Sequence, residues 1–155
     1  MKQIELTQGL FALVNEEDFE YLNKEKWCAM NLKKADKIYA VRRHKNKIVY
    51  MHRVILNPEK GMVIDHIDRN GLNNTRDNIR ACTPSQNQAN RRVWIKKTSS
   101  RFLGVIKHQN GWLSSITKNR IRMTIGCFKD EIEAAKAYNE AAIKHHGEFA
   151  TLNTF

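Results

Sequence analysis

A chain of 155 residues has room for one ordinary domain or two small modules, each burying a modest core. Its 41% hydrophobic and 28% charged content excludes a disordered chain. With 27 Lys and Arg against 16 Asp and Glu, the net charge of +11 points to a polyanionic partner, DNA or RNA ahead of a membrane surface. The competing reading of the charge is a basic, highly soluble protein without a nucleic-acid role.

No apolar run is long enough to span a bilayer, and no signal peptide is visible. Cys28, Cys82 and Cys127 stand singly, without the Cys-x-x-Cys spacing of a zinc knuckle. Their odd number fits a reducing compartment, with all three as small apolar fillers.

In chain order, residues 3–14 read as two short strands around Gln8-Gly9, followed by a short helix with Asn15 as N-cap and Phe19 and Leu22 facing inward. Residues 37–56, "KIYAVRRHKNKIVYMHRVIL", read as a hairpin turning near Lys45-Asn46, with Tyr39, Val41, Ile48 and Tyr50 as apolar contacts. "MVIDHI" is strand-like, Asp68 to Asn74 is a polar loop punctuated by Gly71, and "NIRAC" is a second short strand. Thr83, Pro84 and Gln86 form a capped helix start, and the helix is expected to run to about Arg92.

A polar, basic junction over 96–101 separates this part, 1–95, from a second module at 102–155. There "FLGVIKH", "GWLSSITK" and "RMTIGCF" are three short strands, with turns at Gln109-Asn110-Gly111 and between Lys118 and Ile121. Asp130 caps a closing helix whose small side is Ala134, Ala135, Ala137, Tyr138, Ala141 and Ala142, and Gly147 ends it as a left-handed cap. The class is α+β throughout.

The stretch 62–91 concentrates short polar side chains, which can cap turns or hold a metal against a phosphate. Phosphodiester hydrolysis needs a base to make the nucleophile and positive charge to offset phosphate and leaving oxygen. Asp65 and His66 are neighbours on a strand and point in different directions, so one can hold a metal while the other faces the water. If the next helix packs across the hairpin, the Asn87 amide oxygen can join Asp65. Two hard oxygen ligands suit Mg²⁺ or Mn²⁺ better than Zn²⁺.

Asn78 can cross the loop and fix the backbone beside His66, while Asn70, Asn73 and Asn74 shape the loop. Arg76 and Arg80, then Arg53 and Arg91, are the expected phosphate contacts. His52 is expected to be a strand residue packed beneath the site, with an auxiliary phosphate or metal contact as the alternative.

"DHIDRNGLNNTRDNIRACTPSQNQANR" resembles the HNH nuclease signature almost throughout, in the branch of small homing endonucleases of phages and mobile introns. The resemblance covers Tyr50 to Arg92 and implies a ββα-metal (His-Me finger) fold. It implies Asp65 and Asn87 as metal ligands, His66 as general base and Asn78 as the orienting residue. Asn87 stands where the last His of the family name would, which keeps an oxygen ligand.

In the second module, strand alternation puts Trp112, Ser114 and Ile116 toward the helix, and Ser115, Thr117, Arg122 and Thr124 on an open face. Arg101, Lys107, His108, Lys118 and Arg120 rim that face as DNA contacts. Phe102 to Asn153 resembles the AP2 DNA-binding domain, on the glycine before Val105, Trp112, Ile125-Gly126-x-Phe128, the Ala-Ala-x-x-Tyr run and Gly147. That family docks a three-stranded antiparallel sheet in the major groove. The arginine-rich first strand of plant relatives is thinned here to Ile106, Lys107 and His108, so their target sequence does not carry over.

The expected protein is a metal-dependent, homing-type endonuclease that nicks or cleaves double-stranded DNA. It would be a monomer on DNA, with a homodimer as the other arrangement, in the cytoplasm of a bacterial host of a phage or mobile element. The alternative is a catalytically inactive DNA-binding protein that retains the nuclease fold.

Overall fold

A computed structural model describes residues 1–32, 37–90 and 99–155. The chain divides into two units, Met1–Pro84 and Ser85–Phe155. None of its described helices is long and apolar enough to cross a membrane.

In the first unit, β1 (Lys2–Glu5) and β2 (Phe11–Val14) form an antiparallel hairpin that sends Ile4, Ala12 and Val14 into the core. Helix α1 (Glu16–Leu22) follows and buries Leu22. Asn15 precedes it but makes no side-chain cap; its Oδ1 instead accepts the Arg76 N–H at 2.8 Å, tying the helix start to a distant loop. The strand β3 (Cys28–Leu32) has no counterpart in the sequence reading. It pairs with β4 (Lys37–His44), which pairs with β5 (Lys47–Tyr50), giving a sheet of order β3-β4-β5. The β4–β5 turn falls where expected, with Lys45 and Asn46 at φ 45° and 63°, the positive-φ pair that a twisted two-residue hairpin needs.

Residues 51–56 depart from the strand expected of them and form helix α2 (Met51–Leu56). Its β-branched Val54 and Ile55 favour a strand, but Met51 and Ile55, one helical turn apart, both reach the core. Burial outweighs local propensity here. Ile48, expected inside, is 49% exposed. Strands β6 (Val63–His66) and β7 (Ile79–Cys82) pair antiparallel, with Asp65 opposite Arg80 and His66 opposite Ile79. The loop between them is pinned to β2: Leu13 N–H donates to the Leu72 carbonyl and Asn74 N–H to the Leu13 carbonyl, both at 2.8 Å.

Helix α3 (Pro84–Ala89) follows β7 and lies, past its first residue, in the second unit. The division of the chain thus falls after the first residue of α3. Residues 96–98, together with Arg91, Arg92 and Trp94, lie outside the described residues. Within the second unit α3 is held by Ser85 Oγ donating to Asn119 Oδ1 at 2.7 Å and by Thr151 Oγ1 donating to the Ala89 carbonyl at 3.0 Å.

Strands β8 (Val105–His108), β9 (Gly111–Lys118) and β10 (Ile121–Phe128) form an antiparallel sheet of order β10-β9-β8, packed on α4 (Glu131–His146). Asp130 caps α4 by accepting from the Ile132 and Glu133 N–H groups. Val105, Phe102, Ala134 and Ala135 make the core, with Trp112 and Phe128 against it. Ser114 is fully buried, its small side chain allowing close helix approach. Gly147 has φ 54° but ψ −131°, so it ends the helix outside the left-handed helical region expected for it, in a region only glycine enters easily. Cys82 is buried, whereas Cys28 and Cys127 are exposed and are not core fillers.

Candidate active site

Asp65 and His66 sit side by side on β6, 5% and 6% exposed. Strand alternation sends their side chains to opposite faces of the β6–β7 hairpin. Asp65 faces its cross-strand neighbour Arg80, whose Nη2 and Nε donate to Oδ2 at 2.9 and 3.1 Å. Arg80 neutralises and aims the buried carboxylate.

The His66 imidazole meets Asn74, with Nε2 3.2 Å from Oδ1. Asn74 is fully buried, and its Nδ2 donates to the Leu72 carbonyl at 3.2 Å. Asn74 is therefore more than a loop-shaping residue. Around the ring stand His52, edge-on with centroids 5.0 Å apart, and Tyr39 at 5.9 Å; Tyr50 stacks on His52 at 5.3 Å. His52 is a buried residue of helix α2, not of a strand.

Burial pushes the His66 pKa below the ordinary histidine value, against weaker upward pulls from Asn74, Asp68 and Asp65. Burial, then His66 and Arg53, push His52 down to about 3. Both rings are neutral at pH 7, and a neutral imidazole carries the lone pair that a general base needs.

Asn78 clamps the loop rather than the ring. Its Oδ1 accepts the Asp68 N–H at 3.0 Å, and its Nδ2 donates to Asp68 Oδ1 at 2.9 Å and to the Asn73 carbonyl at 2.7 Å. The Ile67 N–H donates to the Asn78 carbonyl, so this residue fixes the two positions that follow His66. Burial works to raise the Asp68 pKa. Donors from Asn70, Asn73 and Asn78 outweigh it and hold the carboxyl low. Asn87 lies half-buried on α3, in the second unit.

Arg76 is committed elsewhere. It grips the buried Asp18 through Nε at 2.9 Å and Nη2 at 2.7 Å, with Glu17 at 2.6 Å. Arg53 is exposed and donates to the Met62 carbonyl at 3.2 Å. Arg91 falls outside the described residues.

Among the rim residues of the second unit, Arg101, Lys107, His108, Lys118 and Arg120 are all exposed. Lys107 lies over the Trp112 ring at 4.6 Å and Arg101 over Phe102 at 4.8 Å. Thr117 pairs with Arg122 and Ser115 with Thr124 across β9 and β10. Thr117, Arg122 and Thr124 are exposed, but Ser115 is buried and its Oγ accepts from Arg122 Nε at 3.0 Å. Ser115 orients Arg122 instead of presenting itself to a ligand.

Among the described residues no three His, Cys, Asp or Glu side chains come together as metal ligands. A thiolate- or imidazole-rich zinc site is thus absent there. The Asp65 carboxylate is a hard oxygen donor, and the Asp68 carboxylate is occupied by its three amide donors. This donor set fits an ion that keeps most of its water and takes few protein oxygens, as Mg²⁺ does.

The sequence reading gave both neighbours of the ring a bland role, Asn74 as a loop former and His52 as a packed strand residue. Two asparagines run together at 73–74, ahead of Thr75, in a loop that must close against its own hairpin. The His at 52 sits one residue before an Arg, on a segment whose apolar spacing also fits a helix. Burial of Asn74, which gives it its role, leaves no mark in the sequence.

A model of the HNH endonuclease family matches residues 49–89. The chain is 33% identical over 147 residues, 94% of its own length and 76% of the other's, to an uncharacterized HNH endonuclease of Acanthamoeba polyphaga mimivirus. It is 41% identical over 56 residues to an AP2/ERF and B3 domain-containing protein of Oryza sativa subsp. japonica, covering 36% of this chain and 15% of that protein. A second, putative protein of the same description from rice is 40% identical over 58 residues, 37% of this chain and 18% of its own. No solved structure matches.

Proposed function

The chain belongs to the HNH endonuclease family, and from that premise we propose that it hydrolyses phosphodiester bonds of double-stranded DNA with a bound Mg²⁺ or Mn²⁺. The observation that carries this reading is the buried His66 beside the buried Asp65 on one short strand. His66 takes the proton from the attacking water. Asp65 is the ligand that holds the ion. The ion, when bound, offsets phosphate charge and stabilises the departing oxygen. Arg80 keeps the Asp65 carboxylate aimed, and Asn78 keeps the turn after His66 closed.

The hairpin β6–β7 with α3 is read as a ββα-metal module and the second unit as an AP2-like DNA-binding module. The order of strands and helix supports both, and the partial match to a rice AP2/ERF and B3 domain-containing protein supports the second. The unit supplies affinity that one small cleavage site lacks. One site per chain favours nicking by a monomer, in an enzyme of homing type.

Supercoiled plasmid tests the reading. Native protein should nick it with Mg²⁺ and not with EDTA. His66→Ala should lose cutting by at least about 100-fold while still shifting DNA in a gel. Undiminished cutting by that variant removes His66 from its role.

A second reading draws on the Asp65–Arg80 ion pair, since a paired carboxylate is a poorer ligand. In that case the protein binds DNA and cuts none at any Mg²⁺ or Mn²⁺ concentration.

A further inference from the structure

We propose that Asn74, strapped in place by the N-terminal hairpin, is the positioning residue that selects the tautomer and fixes the plane of the His66 imidazole. The inference rests on the reading of His66 as the base. It goes beyond that reading in naming what sets the base's lone pair, whereas Asn78 is read as fixing the backbone beside His66.

The polarity of the contact follows from the far end of the Asn74 amide. Its Nδ2 is 3.2 Å from the Leu72 carbonyl, which can only accept. The amide nitrogen must therefore point there, and the oxygen must point at His66 Nε2, 3.2 Å away. An amide oxygen can only accept, so the ring nitrogen facing it carries the proton. A neutral imidazole has one N–H, and with that proton on Nε2 the lone pair is on Nδ1. The nitrogen that receives a proton from water is thus chosen by a residue that never touches the substrate.

Asn74 is fully buried, so water does not compete for its amide. Its own backbone is not free to drift. Asn74 N–H donates to the Leu13 carbonyl, Leu13 N–H donates to the Leu72 carbonyl, and Leu13 bridges Asn73 in parallel. The Leu72 carbonyl therefore serves both β2 and the Asn74 side chain. The β1–β2 hairpin, far from the signature in sequence, becomes the brace of the catalytic ring. Asn78 does a separate job, closing the loop through Asp68 and Asn73.

The test reads the ring directly and does not depend on cutting. In ¹⁵N-labelled full-length protein at neutral pH without metal, long-range ¹H–¹⁵N correlation should show His66 with a slowly exchanging proton on Nε2 and a bare Nδ1. A proton on Nδ1 in the native protein overturns the proposal, and this measurement needs no variant. Asn74→Leu removes the acceptor at similar volume. It should lose the protected Nε2 proton, bring the two ring ¹⁵N shifts closer together and lower kcat by about 100-fold with KM for DNA unchanged. An Asn74→Leu protein with the native ring spectrum, or with native kcat, sinks the proposal. Failure of the nuclease reading looks different: native protein that never cuts, or His66→Ala that cuts equally, with the ring spectrum as described.

Discussion

At the scale of single residues, the arginines of the signature loop separate by what they already hold. Asp18 is 1% exposed and has Arg76 and Tyr21 as partners. Removing the guanidinium leaves a carboxylate buried beside one phenol. Arg76→Met should therefore cost about 2 kcal/mol of stability, discounted because the arginine side chain is 43% exposed. Urea melts would show the loss as a lower midpoint. DNA affinity measured well below the melt should change little; a large affinity loss with an unmoved midpoint would restore Arg76 to the phosphate.

The two buried histidines set a pH dependence at the same scale. His52 titrates near 3 when folded and near the ordinary 6.5 when unfolded, and His66 is displaced in the same direction. Between those values the unfolded chain binds protons the folded one refuses, so stability is fully present above about 6.5 and declines as pH falls toward 3. For His52 alone the loss at pH 5 is about 2 kcal/mol. Asp68, held low when folded, adds its own loss only below its unfolded value of 3.8, so the window from 6.5 to 4 reports the imidazoles. Melting temperature should fall from pH 7.5 to 5, and His52→Phe should flatten that slope. An unchanged slope would mean that His52 is not the group responsible.

At the scale of elements, the glycine in the β6–β7 loop is a close-approach residue. A Cβ on Gly71 would run into the Ile38 carbonyl and the Tyr39 ring, and backbone cannot step aside as a flexible side chain can. Gly71→Ala should push the loop off β4, costing about 1–3 kcal/mol in a denaturant melt. Because Tyr39 also faces His66, it should slow cutting more than it weakens DNA binding. A variant as stable and as active as the native protein would mean that loop and strand part freely.

Which elements were legible follows from where their information lies. The β4–β5 turn and the Asp130 cap are local chemistry, read from two or three adjacent residues. The strands bearing Asp65 and Arg80 were visible because turn residues bound short apolar runs. Helix α2 was not, since its β-branched residues point to strand and only burial of Met51 and Ile55 decides for helix. Asn15 looked like a cap because its type and place fit one, yet a residue sixty-one positions away claimed its oxygen. Asn78 drew attention by its place in the signature, whereas Asn74 contacts the ring through a fold that brings β2 against the loop. Polar contacts across such distances carry no local pattern.

At the scale of the whole molecule, a net charge of +11 is a statement about how DNA binding responds to salt. If about six phosphates are neutralised, affinity should fall about a thousandfold between about 50 and 200 mM salt. In the proposed AP2-like reading, the geometry of the second unit divides that work. Lys118 and Arg120 stand at the β9–β10 turn, with Arg120 at φ 67°, where a charge meets a passing backbone. Arg122 lies within β10 with its Nε fixed by the buried Ser115, so its guanidinium is held in one direction, as a base edge requires. Lys118→Ala and Arg120→Ala should each lower the slope of log affinity against log salt by about 0.9 and weaken all sequences alike. Arg122→Ala should leave the slope nearly unchanged and narrow the difference between preferred and random DNA, by about 1–3 kcal/mol at one position. Binding titrations on selected and random duplexes at several salt concentrations separate the two. A change of slope without loss of discrimination in Arg122→Ala would place that guanidinium on a phosphate and leave base reading to Thr117 and Thr124.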